Sequence, residues 1–300
     1  MIFPFRRGPS VRQFIVSYAP DWIVTCVLWL ILSYITRHVT GFKRHFSLTD
    51  LSLQHPYAVQ ERVSTNALWI LSVALPLAVQ SVVNVLFIRS WWDLHHSTLG
   101  LWLSITITGS VTQLIKVTVG RPRPDLIERC QPLPGSEDPL LGLSTIDVCT
   151  QTSTRVLENG WRSFPSGHSS LAFAGLGFLT FYLAGKLRLF DTRGHASKVW
   201  LSLAPLGLAC YIALSRTMDY RHHWEDVLAG SALGLGVAYF CYRQYYRHLA
   251  SRMAHIPFTT RFESEQEMGM FRDGDADNEE DVGLIGGSRR PDIQGILASS

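Results

Sequence analysis

The stretch PSGHSSLAFAGLGFLTFYLAG, residues 165–185, decides the fold. It opens with polar residues and then runs almost without interruption through apolar ones, close to the roughly 20 residues needed to cross a bilayer. Its small residues Ala172, Ala174, Gly175 and Gly177 allow helix backbones to approach closely. We therefore predict a membrane helix over about 169–185 that packs in the centre of a helical bundle.

Five further apolar stretches of near-spanning length predict an all-α bundle of six transmembrane helices. The stretch nearest the N-terminus carries Asp21 and also fits a signal anchor or a buried helix, but no cleavage pattern follows it. Pro76 and Pro205 predict kinks in two others, and the last is rich in Ala and Gly, which predicts a second central helix. The five ranges are approximately 19–36, 68–88, 99–119, 199–215 and 226–242.

A large soluble all-α enzyme is the alternative to a membrane bundle. Charged residues make up only 17% of the chain, against roughly 25% in an average soluble protein. Aromatic residues typical of membrane interfaces also stand at several helix ends, namely Trp22, Trp91, Trp92 and Tyr242. Both observations favour the membrane.

The net charge of +3 conceals two regions of opposite sign. Nine of the 24 acidic residues lie between Glu263 and Asp281, whereas residues 1–260 carry 23 bases and 14 acids. No basic run or zinc-finger spacing accompanies the basic body, so we predict no nucleic-acid partner. The segment 244–300 is predicted to be a disordered, acidic, cytosolic tail.

Six spans place both termini on one side, and the distribution of Lys and Arg favours the cytoplasm. Cys130 and Cys149 share one polar loop, where a disulfide bond and two free thiols are both possible. Cys26, Cys210 and Cys241 lie in apolar stretches and are expected to act as small hydrophobic residues.

Polar residues cluster at three predicted helix ends. The first cluster ends the third helix with Lys116 and Arg123, which are either membrane-edge anchors or an anion site. The second opens the fourth helix with Ser166, Gly167 and His168, where exposed N–H groups and the helix dipole favour a phosphate oxygen. A plain helix cap explains the serine but not the histidine.

The third cluster joins the fifth and sixth helices and contains Arg216, His222 and Asp226. Four residues separate His222 from Asp226, so on a helix they would share a face, with the carboxylate orienting a nucleophilic imidazole. A capping or metal-binding pair of His222 and His223 is the alternative, but adjacent residues point in different directions on a helix and make a poor two-ligand metal site. All three clusters fall on one membrane face, which predicts phosphoryl transfer. No Asp-rich or His-x-x-x-His ligand set is recognised, so we predict no metal requirement.

These motifs resemble those of the type 2 phosphatidic acid phosphatase superfamily, the lipid phosphate phosphatases. The family patterns K-x6-R-P, P-S-G-H and S-R-x5-H-x3-D match Lys116–Pro124, Pro165–His168 and Ser215–Asp226 at every defining position. The resemblance covers about 68–243 as a phosphatase core with a haloperoxidase-like helical fold, preceded by the N-terminal segment 1–67. The strings GRPRPD and SRTMDYRHHWEDV look most like the branch of lipid phosphate and diacylglycerol pyrophosphate phosphatases.

The resemblance implies a role for each matching residue. His222 would attack phosphorus and form a phosphohistidine, Asp226 would orient it, and His168 would protonate the leaving group. Lys116, Arg123, Ser166, Gly167 and Arg216 would bind the phosphate. A membrane-edge or structural role is expected for neighbouring polar residues of the same loops, namely Arg121, Asp125, Asp219, Arg221 and His223.

The implied activity is hydrolysis of phosphatidate, diacylglycerol pyrophosphate or lysophosphatidate in a bilayer, independent of Mg²⁺ or any other cofactor. The expected location is an endomembrane (vacuole, endoplasmic reticulum or Golgi) or the plasma membrane. Two alternatives stay open: a phosphatase for sphingoid base phosphates or polyprenyl diphosphates, and a catalytically silent membrane scaffold on the same fold.

Overall fold

The computed structural model describes residues 11–191 and 194–258, and its bundle lies in the compact unit Tyr18–Phe258. Short helices occupy the loops at Leu51–Leu53, Leu126–Cys130, Ile146–Val148 and Thr154–Asn159. The long helices are α1 (Val11–His38), α2 (Thr65–Ile88), α3 (Trp91–Val119), α4 (Gly167–Lys186), α5 (Ala196–Met218) and α6 (Trp224–Tyr245). The described residues form isolated β-bridges but no strand, which confirms the all-α prediction for this part of the chain.

Four of these helices are long and apolar enough to cross a membrane: α1 from Ile15, α2, α3 and α5. The remaining two, α4 and α6, are 20 and 22 residues long. Most side chains of α4 are buried inside the protein, which matches its predicted central position.

Close contact between α4 and α6 depends on the small residues of both helices. A Cβ atom at Gly230 would lie 2.6 Å from the carbonyl oxygen of Ser166, and one at Gly234 would collide with the carbonyl of Ser170. A side chain at either position would therefore push the two backbones apart. This contact holds the beginning of α4, with its polar residues, against the beginning of α6.

Helix α3 begins eight residues before the predicted span, because its first turns contain polar side chains that are buried and paired. Asp93 is fully buried, pairs with Lys186, and accepts hydrogen bonds from the hydroxyls of Tyr182 (3.0 Å) and Tyr246 (3.1 Å). The mean hydropathy of a stretch of sequence cannot show that the charge of Asp93 is paired with a cation inside the protein.

Part of the region predicted as a disordered tail is folded. Helix α6 continues to Tyr245, and the following residues pack back on the bundle, where Tyr246 and Ala254 are buried. The prediction is therefore wrong for residues 244–258, because aromatic side chains anchor this segment. The acidic residues of the predicted tail lie outside the described residues.

Pro76 and Pro205 were both expected to disturb their helices. Helix α2 is π-helical over Ile70–Ala74, directly before Pro76, and again over Asn84–Ile88. Helix α5 is α-helical throughout, with Pro205 inside it. The hydrogen-bond pattern therefore changes near the first proline and not at the second, and the kinks stay predictions.

Candidate active site

Six of the eight sequence-predicted site residues line one cavity of about 860 Å³. They are Lys116, Arg123, Gly167, His168, Arg216 and His222. The fold brings the three polar clusters together because the ends of α3 and α5 and the beginnings of α4 and α6 meet at one end of the bundle. Ser166 and Asp226 are fully buried and lie behind the cavity wall.

Lys116 and Arg123 converge on the same backbone carbonyl. The Lys116 ammonium donates to the carbonyl oxygen of Arg162 at 2.7 Å, and Arg123 Nη2 donates to it at 3.3 Å. Gly120, with φ 55°, ends α3 between them and turns the chain back. Burial, together with the neighbouring Arg129 guanidinium, lowers the pKa of Arg123 to about 9, so this side chain stays cationic at neutral pH.

The PSGH motif leads into the first turn of α4, which begins at Gly167. Ser166 is the N-cap, and its hydroxyl accepts from the amide of Ser169, while its own amide donates to the carbonyl of Asp226 at 2.9 Å. Both groups of Ser166 are therefore occupied by the protein. Gly167 and His168 line the cavity, whereas Ser166 does not. Gly167 is therefore better placed than Ser166 for the phosphate-binding role that the family resemblance implies.

Arg216 reaches the cavity from the last turn of α5. Its Nε and Nη2 atoms donate to Ser215 Oγ at 3.0 and 2.9 Å, and Nη2 also donates to Asp219 Oδ2 at 3.0 Å. These contacts explain the serine of the S-R pair and give Asp219 a structural role. Together they fix the plane of the guanidinium.

His222 is almost fully buried, with 4% of its surface exposed. Burial lowers its pKa well below the ordinary value, and the cations Arg123 and Lys116 lower it further. The imidazole is therefore neutral at physiological pH. Neutral imidazole is the form that a nucleophile requires.

Asp226 lies near His222 but does not share a helix face with it, so that part of the prediction is wrong. Helix α6 begins at Trp224, because the N-cap His223 and Asp226 form a capping box that ends the preceding loop there. His222 thus belongs to the loop, and its Nδ1 atom is 3.8 Å from Asp226 Oδ2. That distance allows an electrostatic contact but exceeds a hydrogen bond.

The Asp226 carboxylate accepts from the backbone amide of His223 and from two further donors. Arg121 Nη1 donates to it at 2.6 Å and Ser163 Oγ at 2.5 Å. The structural role expected for Arg121 is thus to fix Asp226. Because Ser163 lies between the first and second motifs, it links the loop after α3 to the beginning of α6.

Sequence reasoning missed Glu61, which enters the cavity from the segment before α2. Its carboxylate accepts from Arg216 Nη1 at 2.8 Å and lies 3.2 Å from Arg221 Nη2 and 3.8 Å from His168 Nε2. The only signal in the sequence is an isolated acid in a loop, which matches no motif. Arg221 also lines the cavity, although it was assigned to a structural role.

The loop beside this cavity carries a disulfide bond. Cys130 and Cys149 are bonded, with their Cα atoms 4.6 Å apart, which decides between the two alternatives left open by the sequence. Cys130 is also fully buried in a small apolar cluster with Leu126 and Trp161. The bond therefore fixes the loop that contains Arg123, a residue of the cavity wall.

Apolar side chains line the same cavity. They come from α1, α2 and α4 and are Trp29, Leu32, Leu68, Trp69 and Leu171, beside polar residues such as Thr36 and Arg37. A cavity lined by cations, histidines, and aromatic and aliphatic side chains fits an amphiphilic phosphate. Fold and site together define a helical membrane protein with a cavity lined by cations and histidines.

The chain belongs to the PAP2 superfamily, whose sequence profile matches residues 97–250. A relative in Schizosaccharomyces pombe, the "Probable diacylglycerol pyrophosphate phosphatase 1", is 43% identical over 254 residues, covering 83% of this chain and 88% of the relative. "Lipid phosphate phosphatase 2" of Arabidopsis thaliana is 41% identical over 247 residues, 80% of each chain. "Diacylglycerol pyrophosphate phosphatase 1" of Saccharomyces cerevisiae is 41% identical over 248 residues, 80% of this chain and 82% of that protein. No solved structure matches the chain significantly.

Proposed function

We propose that the protein is an integral membrane lipid phosphate phosphatase that hydrolyses phosphatidate, diacylglycerol pyrophosphate or lysophosphatidate. The observation that carries this proposal is one cavity lined both by cations and histidines and by apolar side chains. The charged residues suit the phosphate, and the apolar residues suit the beginning of an acyl chain. The names of the relatives support the same substrate class.

In the first step, the neutral imidazole of His222 attacks phosphorus and the bond to the leaving oxygen breaks. The negative charge of the bound phosphate favours the protonated form of His168, which takes up a proton from solvent when the substrate binds. His168 gives this proton to the leaving oxygen, so the lipid leaves as an alcohol, or as a phosphate in the case of a diphosphate. Lys116, Arg123 and Arg216 stabilise the equatorial oxygens, aided by the backbone at Gly167. Water then attacks the phosphohistidine, gives its proton to His168 and releases inorganic phosphate.

Asp226 contributes to this step through electrostatics and not by contact with the substrate. The imidazole gains positive charge when it bonds to phosphorus, and the carboxylate oxygen 3.8 Å away stabilises that charge. Phosphoryl transfer then needs no divalent cation. Within residues 11–191 and 194–258, no group of three His, Cys, Asp or Glu side chains could hold a metal ion. Independence from Mg²⁺ stays a prediction.

We infer that all six long helices cross the membrane and that the site faces away from the cytoplasm. The Cys130–Cys149 bond supports this orientation, because disulfides persist in oxidising compartments such as the endoplasmic reticulum lumen or the cell exterior. Six spans then place both termini in the cytoplasm. An endomembrane and the plasma membrane both satisfy this arrangement.

The test is release of phosphate from a panel of lipids in EDTA by the full-length protein in detergent micelles. The panel contains phosphatidate, diacylglycerol pyrophosphate, lysophosphatidate, a sphingoid base phosphate and a polyprenyl diphosphate. We expect wild type to turn over at least one of the first three and His222→Ala to lose on the order of 10³-fold or more. Equal activity in the two proteins would contradict the mechanism, and preference for the last two lipids would replace the substrate class.

A further inference from the structure

Glu61 is the one acidic side chain that touches both Arg216 and Arg221 in the described cavity wall. Glu158 also lines the cavity, from the short helix Thr154–Asn159. Glu61 is 27% exposed, so its charge is only partly screened by water. A carboxylate among cations assigned to a phosphate needs a physical explanation.

The donors of Arg216 show where the Glu61 carboxylate and a bound phosphate would meet. Nε and Nη2 are occupied by Ser215 and Asp219, which leaves Nη1 as the nitrogen that faces the cavity. One of its two N–H groups donates to Glu61 Oε2 at 2.8 Å. A phosphate oxygen bound by Arg216 would therefore use the same nitrogen as Glu61 and lie within a few ångströms of the carboxylate.

The backbone around Glu61 is fixed, so the contact is built into the fold. The next residue, Arg62, donates its amide to Asp219 Oδ2 at 2.9 Å and Nη1 to Asp219 Oδ1 at 2.5 Å. On the other side, the carbonyl of Ala58 accepts from Arg221 at 2.7 Å. Asp219 thus holds both Arg216 and the segment that carries Glu61, and it sets their distance.

We propose that Glu61 is an internal competitor for the phosphate site, a carboxylate that weakens the binding of inorganic phosphate because both anions use the guanidinium of Arg216. The proposal rests on the assignment of Arg216 to phosphate binding in the proposed function. Free phosphate, the reaction product, has only the cations to hold it. Glu61 repels the phosphate group of a lipid as well, but the apolar side chains of the cavity still hold the lipid. Free phosphate has no such contacts, so Glu61 speeds release of the product.

The experiment compares Glu61→Gln with Glu158→Gln, which removes a negative charge from the same cavity. Inorganic phosphate is titrated into each full-length protein in detergent micelles with EDTA, and heat release gives the dissociation constant. Glu61→Gln removes like-charge repulsion at close range, so we expect phosphate to bind about 10-fold more tightly. We expect less than about a twofold change in Glu158→Gln.

Unchanged or weaker phosphate binding in Glu61→Gln would overturn the proposal, because it would show that the carboxylate supports the site. If Glu61→Gln does not fold, Glu61→Asp draws the carboxylate back by one methylene and should also tighten phosphate binding. Hydrolysis of phosphatidate by the same wild-type preparation tests the proposed function separately. An active wild type whose Glu61 variants bind phosphate no more tightly contradicts the role of Glu61 alone.

Discussion

Replacing Asp226 by Asn tests how the site drives attack by His222, because it removes one charge and keeps the shape. The carboxylate oxygen is 3.8 Å from His222 Nδ1, and both side chains are almost fully buried. At an effective dielectric constant of about 20, a unit negative charge at that distance stabilises the imidazole's new positive charge by about 4 kcal/mol. That energy corresponds to a loss of about 10³-fold in kcat.

The same substitution has a separate cost in stability. Asp226 accepts hydrogen bonds from Arg121, Ser163 and the amide of His223, and an amide group cannot accept at both ends. One buried donor is left unpaired, which lowers the free energy of unfolding by about 1–3 kcal/mol. Thermal unfolding measures this cost independently of kcat.

The assay is steady-state hydrolysis of phosphatidate in mixed micelles with EDTA, at a temperature where the variant is folded. We expect KM to change little, because Asp226 lies behind the cavity wall. Ser163→Ala is the matched control: it removes one hydrogen bond to the same carboxylate, keeps the charge, and should cost less than about 10-fold. A folded Asp226→Asn protein with kcat within about threefold of wild type would refute the electrostatic role.

Three further predictions concern pH and stability. Because burial and nearby cations hold the pKa of His222 well below that of an unfolded histidine, the unfolded chain binds more protons below about pH 6.5, and stability falls as the pH decreases. His222→Asn should flatten the decline in Tm between about pH 6.5 and 5, and parallel slopes would contradict this. Gly230→Ala places a Cβ 2.6 Å from a backbone oxygen and should cost about 1–3 kcal/mol, whereas the control Gly236→Ala meets no atom within 4 Å and should be tolerated; equal Tm values would be evidence against the contact. Changing both Cys130 and Cys149 to Ser should lower the unfolding free energy by about 3 kcal/mol. A wild-type Tm that does not change when a reductant is added would argue against the bond.

The sequence predicts the long helices well because their apolar stretches are long and end at polar residues. Helix α3 is the exception at its beginning, where Asp93 is polar in the sequence but paired with Lys186 in the fold. The segment 246–258 is a second exception, since Tyr246 packs through contacts with residues far away in the chain. Local hydropathy identifies neither Lys186 as the partner of Asp93 nor Asp93 as the partner of Tyr246.

The sequence predicts most of the candidate site from its motifs. Motif spacing identifies the residues that line the cavity, because each motif lies at a helix end that the topology brings to one place. Spacing does not show how the residues are held: Ser166 serves as a cap, and Asp226 starts a helix that excludes His222. Glu61 belongs to no motif and is found only through its distance to Arg216.

Trapping the phosphoenzyme tests the central claim most directly. The full-length protein is mixed with phosphatidate labelled with ³²P in the phosphate, quenched with alkaline detergent within milliseconds to seconds, and separated by electrophoresis. Phosphohistidine survives base and is lost in acid, so we expect label on wild type that acid removes, and none on His222→Ala. Wild type that turns over lipid but carries no label, or His222→Ala that carries as much label as wild type, would contradict the assignment of His222 as the nucleophile.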